Sequence, residues 1–239
     1  MTGVRGDIRI VVCALLLALA VAKPGLWAAA VDEPTAGTGE AVVLLHGLGR
    51  SYRSMMPLER RLRAAGYQVL NFAYDSREEE AETLVTDLSE QVAACCGTAE
   101  RVHFVGHSLG AILIRSFLAE HRPQNLGRVV MLSPPNHGSE IVDSLGDSWW
   151  FPEVMGPVAE RLGTGTDSLP RNLPPPDYEV GIIAGSASVK PVGSMIIPGD
   201  DAGMVSICNL RLEGMADFLV IDKTHAFIMQ STEVTEQIM

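Results

Sequence analysis

The segment Gly106-His107-Ser108-Leu109-Gly110 constrains this chain more than any other. An apolar, strand-like run, Arg101-Val102-His103-Phe104-Val105, leads into it, and a helix-like run over residues 111–121 leaves it. A strand that turns directly into a helix around a serine holds that serine in a strained backbone conformation, with its hydroxyl presented at the bend. Gly106 and Gly110 suit this geometry, because a side chain at either place would crowd the crossing of strand and helix. The following helix turns its positive dipole end and its free N–H groups toward the serine.

The rest of the chain offers a scaffold of the same kind. Ala41-Val42-Val43-Leu44-Leu45 is apolar throughout, the mark of a strand covered on both faces. A helix is predicted over residues 54–65, with Met55, Leu58 and Leu62 on one face and Gly66 as its stop. Residues 67–74 read as the next strand. Residues 78–95 read as a helix, with Leu84, Leu88 and Val92 at helical spacing before Gly97. Val129-Val130-Met131-Leu132, residues 178–184 and residues 218–221 read as further strands, and residues 233–239 as a closing helix. This alternation predicts an α/β architecture, a mostly parallel central sheet with helices on both faces. At 239 residues and 47% hydrophobic content, the chain suits one domain with a sizeable core.

Residues 139–177 interrupt the alternation with Trp149-Trp150-Phe151-Pro152 and then many Gly and Pro. Such a stretch between core strands is expected to form a small cap or lid over a site. Its aromatics either line an acyl pocket or pack the segment onto the sheet.

Residues 1–30 read as a secretory signal peptide. Arg5 and Arg9 make a basic start, residues 10–22 are apolar, and Ala28-Ala29-Ala30 offers a cleavage site before Asp32 and Glu33. The apolar run is short for a membrane span and Lys23-Pro24-Gly25 interrupts it, although an uncleaved anchor is the alternative. The expectation is export to the periplasm or beyond, with residues 31–239 as the single mature domain. A net charge of −11 argues against nucleic acid as a partner and against charge-driven binding to anionic membrane. Cys13 lies in the signal, leaving Cys95, Cys96 and Cys208. Adjacent cysteines are poorly placed to bond to each other. A disulfide, if formed, is therefore expected to join one of them to Cys208, with unpaired thiols the alternative. Their spacing does not match a metal site, and neither metal nor organic cofactor is expected.

A serine hydroxyl needs a base to take its proton and donors to hold the oxyanion that forms on its target. In a strand-turn-helix serine site the base comes last in the chain. His46, His103, His107 and His121 precede or flank Ser108, and His137 follows too soon; His225 stands just after the last predicted strand. His225 is therefore the expected base. The oxyanion donors are expected to be the N–H of Leu109, which follows Ser108, and that of Leu48 in His46-Gly47-Leu48-Gly49, where glycines let the backbone approach a substrate. His46 and His107 read as structural.

Five segments carry a resemblance. They are Leu44-Leu45-His46-Gly47-Leu48-Gly49-Arg50-Ser51, Val105-Gly106-His107-Ser108-Leu109-Gly110, Leu132-Ser133-Pro134-Pro135-Asn136-His137-Gly138-Ser139-Glu140, Pro198-Gly199-Asp200-Asp201 and Thr224-His225-Ala226-Phe227-Ile228-Met229. Together they resemble bacterial α/β-hydrolases of the esterase/lipase type. The resemblance implies the α/β-hydrolase fold and hydrolysis of a small-molecule or lipid ester through an acyl-enzyme, with transient contact with a lipid surface. It also implies a Ser-His-Asp triad, and here the chain departs from the pattern. The family usually sets its aspartate directly before a glycine, whereas Gly199-Asp200-Asp201-Ala202-Gly203 has Ala202 there. Asp201 is the first choice for the acid, Asp200 the second, and an absent acid the third; Asp217 and Asp222 are weaker. Two other functions share these features: an amidase, thioesterase or acyltransferase on the same fold, or a non-catalytic binding protein, for which Ala202 speaks.

Overall fold

Six strands form one sheet: β1 (Ala41–Leu45), β2 (Gln68–Asn71), β3 (Val102–His107), β4 (Leu126–Leu132), β5 (Val180–Ala187) and β6 (Asp217–Thr224). The structure, a computed structural model, describes residues 38–146, 148–187 and 207–239. The sheet order is β2-β1-β3-β4-β5-β6, and every neighbouring pair is parallel. The signal-peptide reading, Asp200, Asp201 and Ala202 all lie outside the described residues. Among those described, no helix is long and apolar enough to cross a membrane.

Strand β1 illustrates why the sheet is covered on both sides. Ala41, Val43 and Leu45 pack with Leu84 and Leu88 of α2 (Ala81–Cys96) and Phe117 of α3 (Leu109–Glu120). Val42 and Leu44 point the other way, toward Leu58 and Leu62 of α1 (Met56–Ala64) and Val234 of the C-terminal helix (Thr232–Ile238). Alternate side chains thus enter separate cores, as a pleated strand requires. Each fully buried Leu or Phe contributes about 1.5–3 kcal/mol of hydrophobic stabilisation.

Strand β2 is shorter than the sequence predicts. The Asn71 side chain is claimed by the carbonyl of Tyr52 (3.0 Å) and the carboxylate of Glu59 (2.7 Å). Tyr74 has left the ladder to stack on the His46 ring, with centroids 3.9 Å apart and planes 8° from parallel. Polar partners for Asn71 and an aromatic partner for Tyr74, all remote in the chain, therefore end the strand before its apolar pattern does.

The cysteine expectation is overturned. Cys95 and Cys96 are bonded to each other, and Cys208 is exposed and free. The reason is position. Cys95 and Cys96 close α2 at the end of the sheet where β3 begins. Cys208 sits beside Asn209, whose carbonyl accepts from the His137 N–H beyond the far end of β4. No bridge spans the length of the sheet.

Between β4 and β5 run four short helices, α4 (Glu140–Gly146), α5 (Phe151–Met155), α6 (Pro157–Glu160) and α7 (Leu169–Asn172). The buried Arg115 of α3 fastens this segment. Its guanidinium donates to the Asn136 side chain (3.2 Å) and to the carbonyl of Leu173 (3.3 Å). One further helix, α8 (Ile207–Leu210), precedes β6, which makes Thr232–Ile238 helix α9.

Candidate active site

Ser108 stands between the last residue of β3 and the first of α3, with φ 52° and ψ −118°. Its N–H continues the sheet by donating to Leu132 O at 3.0 Å. A positive φ at a non-glycine residue costs on the order of 1–3 kcal/mol, so the surrounding packing must enforce it. The packing does so through two glycines. A Cβ on Gly106 would come within 2.5 Å of Ala111 N, and one on Gly110 within 2.5 Å of Leu45 O. Only bare backbone lets α3 start so close to β1 and β3.

The loop after β1 folds over this bend. Arg50 N–H donates to Gly47 O at 3.3 Å around Gly49, whose φ is +64°. Gly49 N–H in turn donates to the hydroxyl of buried Ser76 at 2.9 Å. A Cβ on Gly47 would lie 2.7 Å from His107 Nδ1 and 3.2 Å from Ser108 Cβ. The N–H of Leu109 heads α3, where a helix provides no acceptor. Among the described residues, Leu48 N–H has no backbone acceptor either.

Three histidines support this corner. His46 is fully buried, its ring nitrogens facing the carbonyls of Gly47 (2.9 Å) and Tyr74 (3.2 Å), while the Tyr74 hydroxyl donates to the His46 carbonyl. Burial pushes its pKa below the ordinary imidazole value. His107 donates from Nε2 to the His225 carbonyl at 2.9 Å, which ties the loop after β6 to the bend. The rings of His107 and His225 lie 5.0 Å apart. Burial holds His107 well below its ordinary pKa. His225 is brought down to about 4, first by burial and then by the positive charge of Arg50. Its Nδ1 is buried without a hydrogen-bond partner among the described residues. Of the other histidines, His103 pairs with Glu40 (3.3 Å), His121 with Glu120 (3.8 Å), and His137 is exposed.

Buried neutral histidines make stability depend on pH. An unfolded His225 takes up its proton near pH 6.5, the folded one near pH 4. The unfolded state therefore binds more protons between those values, and stability is lost as pH falls through that window. The shift corresponds to about 3 kcal/mol from this group. Denaturant unfolding of the wild type at pH 7 and at pH 4.5 should show the loss, and a His225→Gln variant should show a smaller one.

A cavity of about 410 Å³ opens at this end of the sheet, within the range of small-ligand sites. Leu48, Ser108 and His225 all line it, so two distant parts of the sequence meet Ser108 at one space. Val142, Val154, Met155 and Leu162, all in or beside the segment between β4 and β5, supply apolar wall. Of the two readings of these aromatics, Phe151 takes the packing one, buried in the core, while Trp149 is 87% exposed, Trp150 37%, and neither lines the cavity. Both tryptophans sit in the turn before α5, and Phe151 opens that helix. Asp217 and Asp222 on β6 are exposed and do not line the cavity. Asp200 and Asp201 are outside the described residues.

Sequence reasoning missed Arg50 and Arg77, which line the same cavity. Arg50 follows directly on His46-Gly47-Leu48-Gly49 and could have been found by its place in that loop. Arg77 carries no motif. Ser133, also at positive φ (46°), was missed as well; its hydroxyl accepts from Gly185 N–H at 3.1 Å and clasps β4 to β5.

Residues 42–202 match the model of the alpha/beta hydrolase family, and the chain belongs to that family. A triacylglycerol lipase of Pseudomonas fragi is 29% identical over 124 residues, which cover 47% of this chain and 40% of that lipase. The chain thus matches well under half the length of that relative. Among solved structures, the mature lipase BlEst2 of Bacillus licheniformis superposes with a TM-score of 0.66 at 20% identity, over 87% of this chain and 93% of the other. Phospholipase PlaB of Legionella pneumophila gives 0.63 at 14% identity, over 80% and 55%. At these identities the structural likeness is one of fold. The mostly parallel α/β-hydrolase architecture is as the sequence predicts.

Proposed function

We propose that this protein is a serine carboxylic-ester hydrolase, an esterase that extends to lipase substrates. The observation that carries the reading is the positive-φ Ser108 at the β3–α3 bend, sharing one cavity with His225 from the far end of the chain. Ser108 Oγ attacks the ester carbonyl as His225 takes its proton. The carbonyl oxygen, now negative, is held by the N–H groups of Leu48 and Leu109. His225 returns the proton to the departing alcohol, leaving an acyl-enzyme. It then activates a water molecule that releases the acid. Asp201 is the proposed partner of His225 Nδ1, the buried atom left without a hydrogen-bond partner among the described residues. The apolar wall between β4 and β5 favours aliphatic acyl groups and is the proposed cap. The N-terminal thirty residues serve as an export signal.

Rapid mixing with p-nitrophenyl esters of graded acyl length tests the reading. A burst of about one equivalent of p-nitrophenol per chain is expected before the steady rate, as acyl-enzyme accumulates. Release without a burst, at a rate unaffected by a fluorophosphonate, would speak for direct attack by water and against the acyl-enzyme.

A further inference from the structure

The chain carries 29 acidic and 18 basic residues, yet the described lining of the cavity beside Ser108 has the reverse character. Among the described residues that line it, the only carboxylate or cationic side chains are those of Arg50 and Arg77. The two are not there independently. The hydrogen bond from Gly49 N–H to Ser76 Oγ joins the residue before Arg50 to the residue before Arg77. Ser76 is almost wholly buried, and the Arg77 N–H donates to Asp75 at 3.0 Å, closing the turn that carries it. One buried hydroxyl therefore brings both arginine-bearing loops to the same side of the cavity.

Among the described residues, neither guanidinium is well neutralised. Arg50 is half-buried, and among the described residues its side-chain contact is the ring of Phe227, 5.8 Å from the guanidinium carbon. Arg77 has Asp75 at 3.9 Å, the outer edge of an ion pair, with both side chains about half in water. Half-buried in a mainly apolar wall, the Arg50 guanidinium loses hydration, which an anion entering the cavity returns. Guanidinium groups suit carboxylate and phosphate oxygens because their donors lie in a planar fork. The depression of Arg50 by burial is consistent with this lack of a partner.

We propose that Arg50 and Arg77 form an anion-holding subsite, so that the preferred ester bears a carboxylate or phosphate group beside its scissile bond. This rests on the ester-hydrolase reading above and adds a substrate class to it. The neutral part of the ester lies against Val142, Val154 and Leu162, and the charged part faces the arginines.

Two matched substrate pairs test it. One is the p-nitrophenyl monoester of glutaric acid against p-nitrophenyl pentanoate; the other is a monoacylglycerol phosphate against the monoacylglycerol of the same chain. The first reads a carboxylate on the acyl side, the second a phosphate on the alcohol side. The wild type should favour the charged member of at least one pair in kcat/KM by about 10- to 100-fold, the range of a charge-assisted hydrogen bond. In Arg50→Gln and Arg77→Gln the ratio should fall about tenfold or more, and Arg→Lys at either place should restore part of it. Arg128→Gln, which removes a surface pair with Glu179, is the control that keeps the ratio. A wild-type ratio of one or less in both pairs overturns the subsite. So does an equal loss for charged and neutral esters in Arg50→Gln, which would assign Arg50 to the His225 environment instead.

Binding of glutarate and of inorganic phosphate to Ser108→Ala protein, by calorimetry, gives a readout without turnover. Binding that weakens about tenfold in the Arg→Gln variants supports the subsite, and its absence in the parent protein overturns it. If no ester of any charge is turned over, the hydrolase reading fails, and the calorimetry still decides the subsite.

Discussion

Replacing Ser108 with alanine is expected to lower kcat for a p-nitrophenyl ester by about 10⁶-fold, the scale seen when a serine hydrolase loses its nucleophile. The loss should be purely chemical. Alanine retains the Cβ that already fits at φ 52°, and the backbone strain is unchanged because Gly106 and Gly110 impose it from outside. Thermal unfolding of Ser108→Ala should therefore stay within about 1 kcal/mol of the wild type, as for a surface change away from packing. Ser133→Ala is the control. That serine is also at positive φ, but its hydroxyl is wholly buried and accepts from Gly185 N–H. Its removal leaves a buried donor unpaired, at a cost of about 1–3 kcal/mol. Ser133→Ala should lose stability and keep its chemistry, the opposite outcome from Ser108→Ala.

The second large effect belongs to His225. His225→Ala should cost about 10⁶-fold in kcat, because a nucleophile and its base act as a unit and losing either costs about as much as losing both. Buried, and lining the same cavity as Ser108, the imidazole is kept neutral by desolvation and by the nearby charge of Arg50. The acid limb of kcat/KM reports the free enzyme's base. Burial and Arg50 press this limb down and the proposed Asp201 carboxylate raises it, so Arg50→Gln should move it upward and Asp201→Asn downward. An acid limb at one pH in wild type and Arg50→Gln would detach Arg50 from the base. His107→Ala offers a contrast. His107 holds the His225 carbonyl at 2.9 Å but is not given a proton-transfer role. Its loss should loosen the loop and lower turnover by a smaller factor.

How far the sequence reveals this molecule varies by element. β1 is legible because five consecutive apolar residues leave no polar face, and the two cores that flank it account for all five. The bend at Ser108 is legible because steric rules demand Gly106 and Gly110. His225 is legible as a candidate only by elimination. What brings it to Ser108 is the parallel register of β4, β5 and β6, a long-range fact that no local pattern encodes. The end of β2 is not legible, because Asn71 and Tyr74 are drawn off by Tyr52, Glu59 and His46, partners remote in the chain. The Cys95–Cys96 bond runs against the geometric preference that disfavours it. Arg77 is invisible because its place depends on Ser76 reaching Gly49 across the top of the sheet.

The central claim is that the Ser108 hydroxyl is made nucleophilic by His225, and fluorophosphonate labelling tests it most directly. Wild type, Ser108→Ala and His225→Ala proteins would be exposed to the same reagent, the adduct mapped by peptide mass and its rate measured. One adduct per wild-type chain is expected, on Ser108, with none in Ser108→Ala and labelling slowed by about 10²- to 10⁴-fold in His225→Ala. An adduct on another residue, or equal labelling rates with and without His225, would contradict it.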